Sequence, residues 1–205
     1  EINYNTSFDL IKYGFFAKSN RRFFDDRLGV SLGIRVDQDN FTVDNNLLKN
    51  FSPRMALSWS ISKDNRWKLN FATGRYFKIP TYTILGFKNL NNNFINNDSK
   101  YTRSDHLVFG IEYNNSESSR FSLEAFNKRY YNYPISINDM VSLANKGGDF
   151  EVLGNENIST SGRGKSYGIE FLYQQKLKNN FYGIFSYTFF YSKFSGFDEV
   201  FLPSV

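Results

Sequence analysis

The run Gly162-Arg163-Gly164-Lys165-Ser166 has the residue types of a phosphate-binding loop. Such a loop cradles phosphates with glycine amides and a lysine, and it requires another glycine five positions before Gly164 and a helix after the motif. Ser159 stands at that earlier position, and residues 167–174 alternate between apolar and polar types as a strand does. The sequence therefore favours a flexible loop end that leads into a strand, and it predicts no nucleotide chemistry.

Metal and catalytic sites need clusters of ligands or acid–base groups, and this chain offers few. His106 is the only histidine and there is no cysteine, so neither a His-rich or thiolate metal site nor a histidine-based triad with a spare histidine is expected. The 25 basic residues are scattered along the chain, which argues against nucleic-acid binding. We therefore expect no enzyme, no cofactor, no bound metal and no nucleic-acid partner.

The most informative candidate surface is a long polar segment, residues 78–103. It contains six asparagines and several aromatic residues, a mixture that can hydrogen-bond and stack on a polar ligand. Asparagine side chains also stabilise irregular loops by bonding to nearby backbone, and that interpretation is at least as well supported. Both readings stay open on the sequence alone.

Around these segments the chain alternates with period two, which places successive side chains on opposite faces of a strand. In residues 28–37, for example, Leu28, Val30 and Leu32 share one face, while Gly29 and Ser31 share the other. The pattern predicts eight strands in four hairpins, at residues 12–18, 27–37, 54–62, 67–77, 106–114, 120–131, 167–174 and 181–191.

Spacers between the predicted strands alternate between short and long. Short polar turns near 20–24, 63–66, 114–118 and 176–180 alternate with long runs at 38–51, 78–103 and 133–165. In an up-and-down antiparallel sheet every short turn then lies at one end and every long loop at the other, which is typical of an outer-membrane β-barrel. The 23 Phe and 14 Tyr suit strands and membrane interfaces.

The absence of long apolar runs is consistent with a barrel. No stretch of about 18 apolar residues exists, so a transmembrane helix is not expected, whereas a spanning strand needs only about 9 to 11 residues. No signal peptide is recognisable at the first residues, which indicates a processed chain or a piece of a longer one.

Two other all-β architectures fit the alternation. A soluble β-sandwich binding module would bury its apolar rows between two sheets, and the assignment of Leu28, Trp59 and Phe171 to lipid would then be wrong. Eight strands could also close on themselves as a small outer-membrane barrel that acts as an anchor or adhesin, in which case residues 8–18 would pair with 181–191. The polar face, rich in Gly, Ser and isolated charges, favours the lining of a larger lumen.

Short phrases follow one another in an order and spacing that are more specific than any one phrase. They are Ser52-Pro53-Arg54, Tyr76 with residues 79–86, Gly110-Ile111-Glu112-Tyr113, residues 123–130 with Tyr133-Pro134, residues 143–149, Gly162-Arg163-Gly164 with residues 167–170, and Ser186-Tyr187-Thr188. Together they resemble the TonB-dependent outer-membrane receptors, particularly those of the Bacteroidetes.

This resemblance implies a 22-stranded barrel closed by a plug, of which residues 1–205 form a partial β-barrel domain of about eight strands. It implies the outer-membrane bilayer and, through a plug that this chain lacks, the TonB complex as partners, with a surface lipoprotein as a possible further one. Residues 201–205 look like an extracellular loop. The ligand is not identified, and a siderophore, cobalamin, a glycan or a peptide would each fit.

The resemblance also gives the sheet an orientation, with long loops outside the cell and short turns in the periplasm. Ligand contacts then come from the loops and the upper lumen. Four residues near loop ends have the parity of the lumen face and are our candidate ligand-binding residues: Asp37, Arg54, Tyr76 and Tyr130.

Overall fold

A computed structural model describes residues 5–43, 47–146 and 153–204. Within these ranges nine antiparallel strands form one sheet in sequence order, β1 to β9. They are β1 Lys12–Phe23, β2 Leu28–Asp39, β3 Arg54–Ser60, β4 Trp67–Lys78, β5 Thr102–Ser116, β6 Ser119–Ser136, β7 Ile158–Lys178, β8 Phe181–Ser195 and β9 Phe201–Pro203. A 3₁₀ turn, Leu47–Asn50, and a one-turn helix α1, Tyr82–Leu85, lie in the loops. None of the described helices is long and apolar enough to span a bilayer.

The eight predicted strands are all present, but the expectation for the last residues was wrong. Residues 201–203 form β9 and pair with Lys193–Ser195 of β8. Three residues that include Pro203 cannot show a period-two pattern. Pro203 is tolerated here because β9 lies at the edge of the described sheet, where a missing N–H leaves no ladder bond unpaired.

Several strands are longer than their apolar patterns. β7 begins at Ile158, so the end of the predicted loop 133–165 is strand, and β5 begins at Thr102 rather than His106. The first turn falls at residues 24–27 instead of 20–24. Backbone pairing continues past the region where one face is apolar. Residues 159–166 are small or polar on both faces, so no alternation marked them.

Strand pairing gives the sheet two distinct faces. Directly opposed residues lie on the same side, so each rung of the ladder can be followed across strands. One rung joins Phe71, Phe109, Ala125, Ile169 and Phe189. Phe109 is 52% and Ile169 is 48% exposed, since no other described element covers this side. We call it the apolar face and the opposite side the polar face.

The sheet excludes both alternative architectures within the described residues. It is a single layer, so no second sheet covers the apolar face as a sandwich requires. Strands β1 and β8 are separated by the six strands between them rather than paired, so the described strands do not close into a small barrel.

The hairpin between β5 and β6 shows how charge is balanced on the polar face near a short turn. Glu112 opposes Ser122, and Arg120 opposes Asn114, yet Arg120 Nη1 lies 3.6 Å from Glu112 Oε2. Lys68 of β4 lies 3.7 Å from the other oxygen. Such cross-strand pairs each contribute about 0.2 to 1 kcal/mol.

The long loops pack into one cap at their end of the sheet. Its small core consists of Ile84, Leu143 and Ile158, which come from two different loops and the start of β7. Asn145 Nδ2 donates to the carbonyls of Leu202 and Pro203 at 3.1 and 2.7 Å, which joins the cap to β9. Residues 44–46 and 147–152 lie outside the described ranges. The second segment includes the end of the residue phrase 143–149.

Candidate ligand-binding surface

Two consecutive rungs on the polar face, just below the loop cap, carry most of the candidate residues. The upper rung joins five strands, and the lower rung runs two residues closer to the short turns. The upper rung consists of Tyr76, Ser104, Tyr130, Gly164 and Phe194, and the lower rung includes Arg54, Gly74, His106, Lys128 and Ser166. Three of the four predicted residues, Arg54, Tyr76 and Tyr130, therefore lie on adjoining rungs of one face.

Arg54 and Tyr76 form one half of this surface. The guanidinium carbon of Arg54 lies 4.3 Å from the centroid of the Tyr76 ring, a cation–π contact. His106 also packs against the tyrosine, with ring centroids 4.6 Å apart, and its Nε2 is hydrogen-bonded to Ser104 Oγ at 2.5 Å. The only histidine thus supports Tyr76, in agreement with a structural role.

Tyr130 anchors the other half. Its ring centroid is 5.3 Å from that of Phe194, which in turn lies 4.4 Å from Tyr133. Gly164 opposes both Tyr130 and Phe194, and a Cβ at Gly164 would overlap the Phe194 ring. Gly164 therefore makes room for an aromatic ring within a strand, whereas a Cβ at Gly162 would meet the backbone carbonyl of Tyr133. The run 162–166 has the residue types of a phosphate-binding loop but is part of a strand.

Asp37 is the exception among the four predicted residues. It faces the same side but is 5% exposed, and both carboxylate oxygens accept hydrogen bonds from Arg35, at 2.6 and 2.7 Å. Asn50 Nδ2 also donates to its backbone carbonyl. Asp37 fixes Arg35 at the loop end of the polar face. Both of its carboxylate oxygens are bonded to Arg35.

Sequence reasoning missed the residues that support the predicted ones. Ser104, Lys128 and Phe194 were not singled out, although the register that places Tyr130 on the polar face also places them there. Tyr133 reaches this face only because the register shifts between Tyr131 and Tyr133, so its position could not be found by counting along β6. Lys128 could have been found from its parity with Tyr130 on β6. Phe194 could not, because its partner Gly164 had been interpreted as part of a loop.

Above the rungs, the asparagine-rich loop is a fixed structure. Asn96 is completely buried, its Nδ2 donates to the carbonyls of Ile84 and Glu156 at 2.9 and 2.8 Å, and its Oδ1 accepts from the amide of Ile158 at 3.2 Å. Asn89 Oδ1 accepts two local backbone amides. At these positions the loop-stabilising interpretation holds, while Asn91 and its neighbours remain exposed on the surface.

A buried tyrosine ties the cap to β2. The hydroxyl of Tyr101 donates to Asp39 Oδ2 at 2.8 Å, and the same carboxylate accepts the backbone amides of Phe41 and Thr42. Burial, reinforced by the Asp39 carboxylate, raises the pKa of Tyr101 far above its ordinary value. The tyrosine is therefore held in its neutral, hydrogen-donating form.

A charged clamp closes the outer loop between β6 and β7. Lys146 Nζ lies 2.6 Å from Asp139 Oδ2 and 2.5 Å from Glu156 Oε1, and Ser136 donates to Glu156 as well. Burial acts to lower the pKa of Lys146, but its hydrogen bonds to the two carboxylates outweigh that effect and raise it. The clamp joins residues on both sides of the outer loop.

This geometry suits binding rather than bond-making. Arg54 and Lys128 form no ion pair with a described carboxylate, so the rungs carry positive charge beside stacked aromatic rings. Planar rings stack on aromatic groups, and free cations attract anions. In the described ranges no three His, Cys, Asp or Glu side chains come close enough to hold a metal ion.

Comparisons with known proteins concern the family and the fold of the chain. A family model described as TonB dependent receptor-like, beta-barrel, matches residues 2–204. Among solved structures, the chain is similar to the alcaligin outer-membrane receptor FauA of Bordetella pertussis, with a TM-score of 0.58 and 14% identity over 95% of this chain. It is also similar to the copper transporter OprC, with a TM-score of 0.62 and 17% identity over 95% of the chain.

A third similar structure is the outer-membrane transporter YddB of Escherichia coli, with a TM-score of 0.59 and 12% identity over 89% of the chain. The chain covers only 32%, 31% and 25% of the FauA, OprC and YddB chains. No curated protein sequence matches it significantly. At these identities the structural likeness shows the fold, and the family model carries the assignment.

Proposed function

Because the chain belongs to the TonB-dependent receptor β-barrel family, we propose that it forms part of the wall of a receptor that takes up a scarce extracellular nutrient. Members of this family are outer-membrane receptors and transporters rather than enzymes, so the protein is located in the outer membrane. The match over residues 2–204 is the observation that carries the proposal.

In the complete receptor we propose a 22-stranded barrel whose lumen is filled by a plug and whose uptake is driven through TonB. The apolar face is then the lipid side and the polar face is the lumen. Barrels of this class have short periplasmic turns and longer extracellular loops, which sets the loop cap outside the cell. The order of the residue phrases supports a receptor of the Bacteroidetes type, and the outward loops offer the surface for a lipoprotein partner.

Within that lumen, we propose that the two aromatic rungs bind the ligand. Tyr76 and Tyr130 supply ring faces, Arg54 supplies a cation held over Tyr76, and Asp37 contributes by fixing Arg35. The absence of a described carboxylate partner for Arg54 and Lys128 favours a ligand that carries negative charge as well as a planar group. The loop cap at the same end of the strands is held together by Asn96 and Lys146.

Growth tests the transport proposal. Cells lacking the receptor are complemented with the full-length gene and grown on limiting iron chelates, cobalamin, oligosaccharides or peptides, with and without a functional TonB. We expect complementation to restore growth on one of these nutrients in a TonB-dependent manner. Restored growth that is independent of TonB, or no difference on any nutrient, would contradict the proposal.

A variant then tests the binding surface separately from transport. Arg54→Gln removes the cation over Tyr76, and Arg22→Gln is its control, since Arg22 lies on the polar face near a short turn. We expect the first variant alone to weaken binding of the identified nutrient to the purified receptor. Equal affinity of the two variants would place the ligand elsewhere in the lumen.

A further inference from the structure

The apolar face changes character near the loop end of β4 to β8. One rung there carries charged residues on all five strands, on the side that faces lipid. It consists of Arg75, Asp105, Arg129, Lys165 and Lys193, and we call it the basic rung. The rung just below it includes Tyr167 and Tyr191, whose rings lie 5.7 Å apart as in an interfacial aromatic girdle.

Charge on the basic rung is balanced at one end only. Asp105 Oδ1 lies 2.8 Å from Arg75 Nε, and Asp105 Oδ2 lies 3.2 Å from Arg103 Nη2 of the next rung. Arg129, Lys165 and Lys193 follow one another on three adjacent strands, and none forms an ion pair with a carboxylate of the described residues. Arg129 opposes Asp105, whose carboxylate is paired with Arg75 and Arg103, and Lys165 opposes a cation on each side. Like charges directly opposite each other on a sheet are destabilising, so an anion bound at this end would stabilise it.

The depth of these cations matches the level of lipid headgroups. A tilted spanning strand needs about 9 to 11 residues to cross the hydrocarbon region. The stretches from the short turn to the cations, residues 165–178 on β7 and 181–193 on β8, are both longer than that. In the proposed orientation, on which this inference rests, Lys165 and Lys193 therefore lie beyond the hydrocarbon, at the outer leaflet, with Arg129 beside them.

Aromatic groups flank the cations on the same face. Lys165 Nζ lies 4.6 Å from the ring centroid of Phe201 on β9, and the exposed rings of Tyr167 and Tyr191 lie one rung deeper. A free anion would need only the cations. A lipid headgroup with attached acyl chains would meet cations at its phosphate and the apolar face along its chains.

We propose that the basic rung binds the phosphorylated headgroup of an outer-leaflet lipid, with Arg129, Lys165 and Lys193 contacting its phosphate. The acyl chains then lie on the exposed apolar residues below, such as Ile169 and Phe189. This site lies outside the barrel and is separate from the aromatic rungs of the lumen. The bound phosphate supplies the negative charge for which Arg129, Lys165 and Lys193 have no carboxylate partner among the described residues.

The test uses the full-length receptor in phosphatidylcholine nanodiscs that contain a minor fraction of diphosphorylated lipid A. Native mass spectrometry measures lipid A retained on the released receptor. The triple variant Arg129→Gln, Lys165→Gln, Lys193→Gln is compared with a control of equal charge change at the opposite end of the strands, Lys63→Gln, Lys176→Gln, Lys178→Gln. We expect retention to fall at least about tenfold in the first variant, as three juxtamembrane cations imply, and to stay unchanged in the control.

Equal retention by the two triple variants would overturn the proposal. A second arm adds inorganic phosphate to the wild-type receptor, and displacement of lipid A by phosphate at similar concentration would show a simple anion site instead. Heat-dependent gel mobility checks that each barrel is folded. If the triple variant fails to fold, the single variant Lys193→Gln is measured in the same way, and undiminished retention there would count against the site.

Discussion

Arg54 on β3 and Tyr76 on β4 are brought together at Gly74, which opposes Arg54 and precedes Tyr76 by two residues on β4. A Cβ at Gly74 would lie 3.1 Å from the Tyr76 ring and 3.2 Å from the Arg54 side chain. The bare backbone at Gly74 lets the guanidinium reach its position 4.3 Å from the ring centroid. The lumen cation of the proposed binding surface thus depends on a residue that touches no ligand.

Replacing Tyr76 tests that relationship. Tyr76→Leu keeps an apolar side chain but removes the ring face that holds Arg54 and stacks on His106. We expect the affinity for the transported nutrient to fall about twofold to thirtyfold, the range given by a cation–π contact of about 0.5 to 2 kcal/mol. Isothermal titration of the purified receptor measures it. Tyr76→Phe, which keeps the ring, is the control, and an equal loss in both variants would assign the effect to the hydroxyl.

Replacing Gly164 tests the packing of the Phe194 ring. Gly164→Ala places a methyl group against the Phe194 ring and displaces it from Tyr130 and Tyr133. Overpacking of this kind costs about 1 to 3 kcal/mol of unfolding free energy. Urea unfolding of the receptor in liposomes measures it, with Gly29→Ala as control, since the nearest atom to a Cβ there is 3.8 Å away. Equal stability of the two variants would mean that Phe194 has room to move.

Replacing Asn96 tests how the loop cap is held together. Asn96→Ala removes hydrogen bonds to Ile84, Glu156 and Ile158 at a position with no exposure. Each net hydrogen bond is worth about 1 kcal/mol, and buried groups left unpaired cost more. We expect amide hydrogen exchange to accelerate throughout the cap while β5 to β8 keep their protection. Asn91→Ala on the exposed surface is the matched control. Equally faster exchange in both variants would mean that the hydrogen bonds of Asn96 are not what holds the cap together.

Tyr101 predicts an alkaline transition of the cap. The folded protein holds the phenolic proton more tightly than the unfolded chain, so its contribution to stability is complete below the unfolded pKa of about 10 and declines as pH rises above it. We expect cap amides to lose exchange protection in that range after correction for intrinsic rates. Tyr101→Phe, which cannot ionise, should show no such transition. A transition of the same size in that variant would mean that another group is responsible.

The sequence predicted the sheet because lipid and lumen impose opposite preferences on alternate residues. Leu28, Val30 and Leu32 were assigned to one face from their types alone, and the register opposes them to other apolar residues of β3. The alternation stops where the strands leave the bilayer, so the extension of β7 to Ile158 and the short β9 carried no such signal. Pairing beyond the membrane depends on the neighbouring strand rather than on solvent.

The sequence predicted which face of the sheet the candidate residues occupy, but not which side chains they contact. Arg54, Tyr76 and Tyr130 were placed on one face by counting residues from the strand ends. The bond between Asp37 and Arg35 depends on two side chains of one face leaning together, which residue types do not reveal. The packing of Phe194 over Gly164 depends on a register between β7 and β8 that only the structure supplies. No comparison tests ligand binding at the four predicted residues, so that role stays a prediction.

The orientation of the wall is the central claim, and strand β5 tests it most directly. The 205 residues contain no cysteine. In a full receptor whose remaining cysteines are replaced, single cysteines at positions 106–111 can therefore be spin-labelled one at a time. Collision with lipid-soluble oxygen and with a water-soluble nickel chelate is then measured in liposomes. We predict that labels at Leu107, Phe109 and Ile111 collide with oxygen, while those at His106, Val108 and Gly110 are protected from it. Accessibility without a two-residue period, or with the opposite phase, would contradict the assignment of the apolar face to lipid.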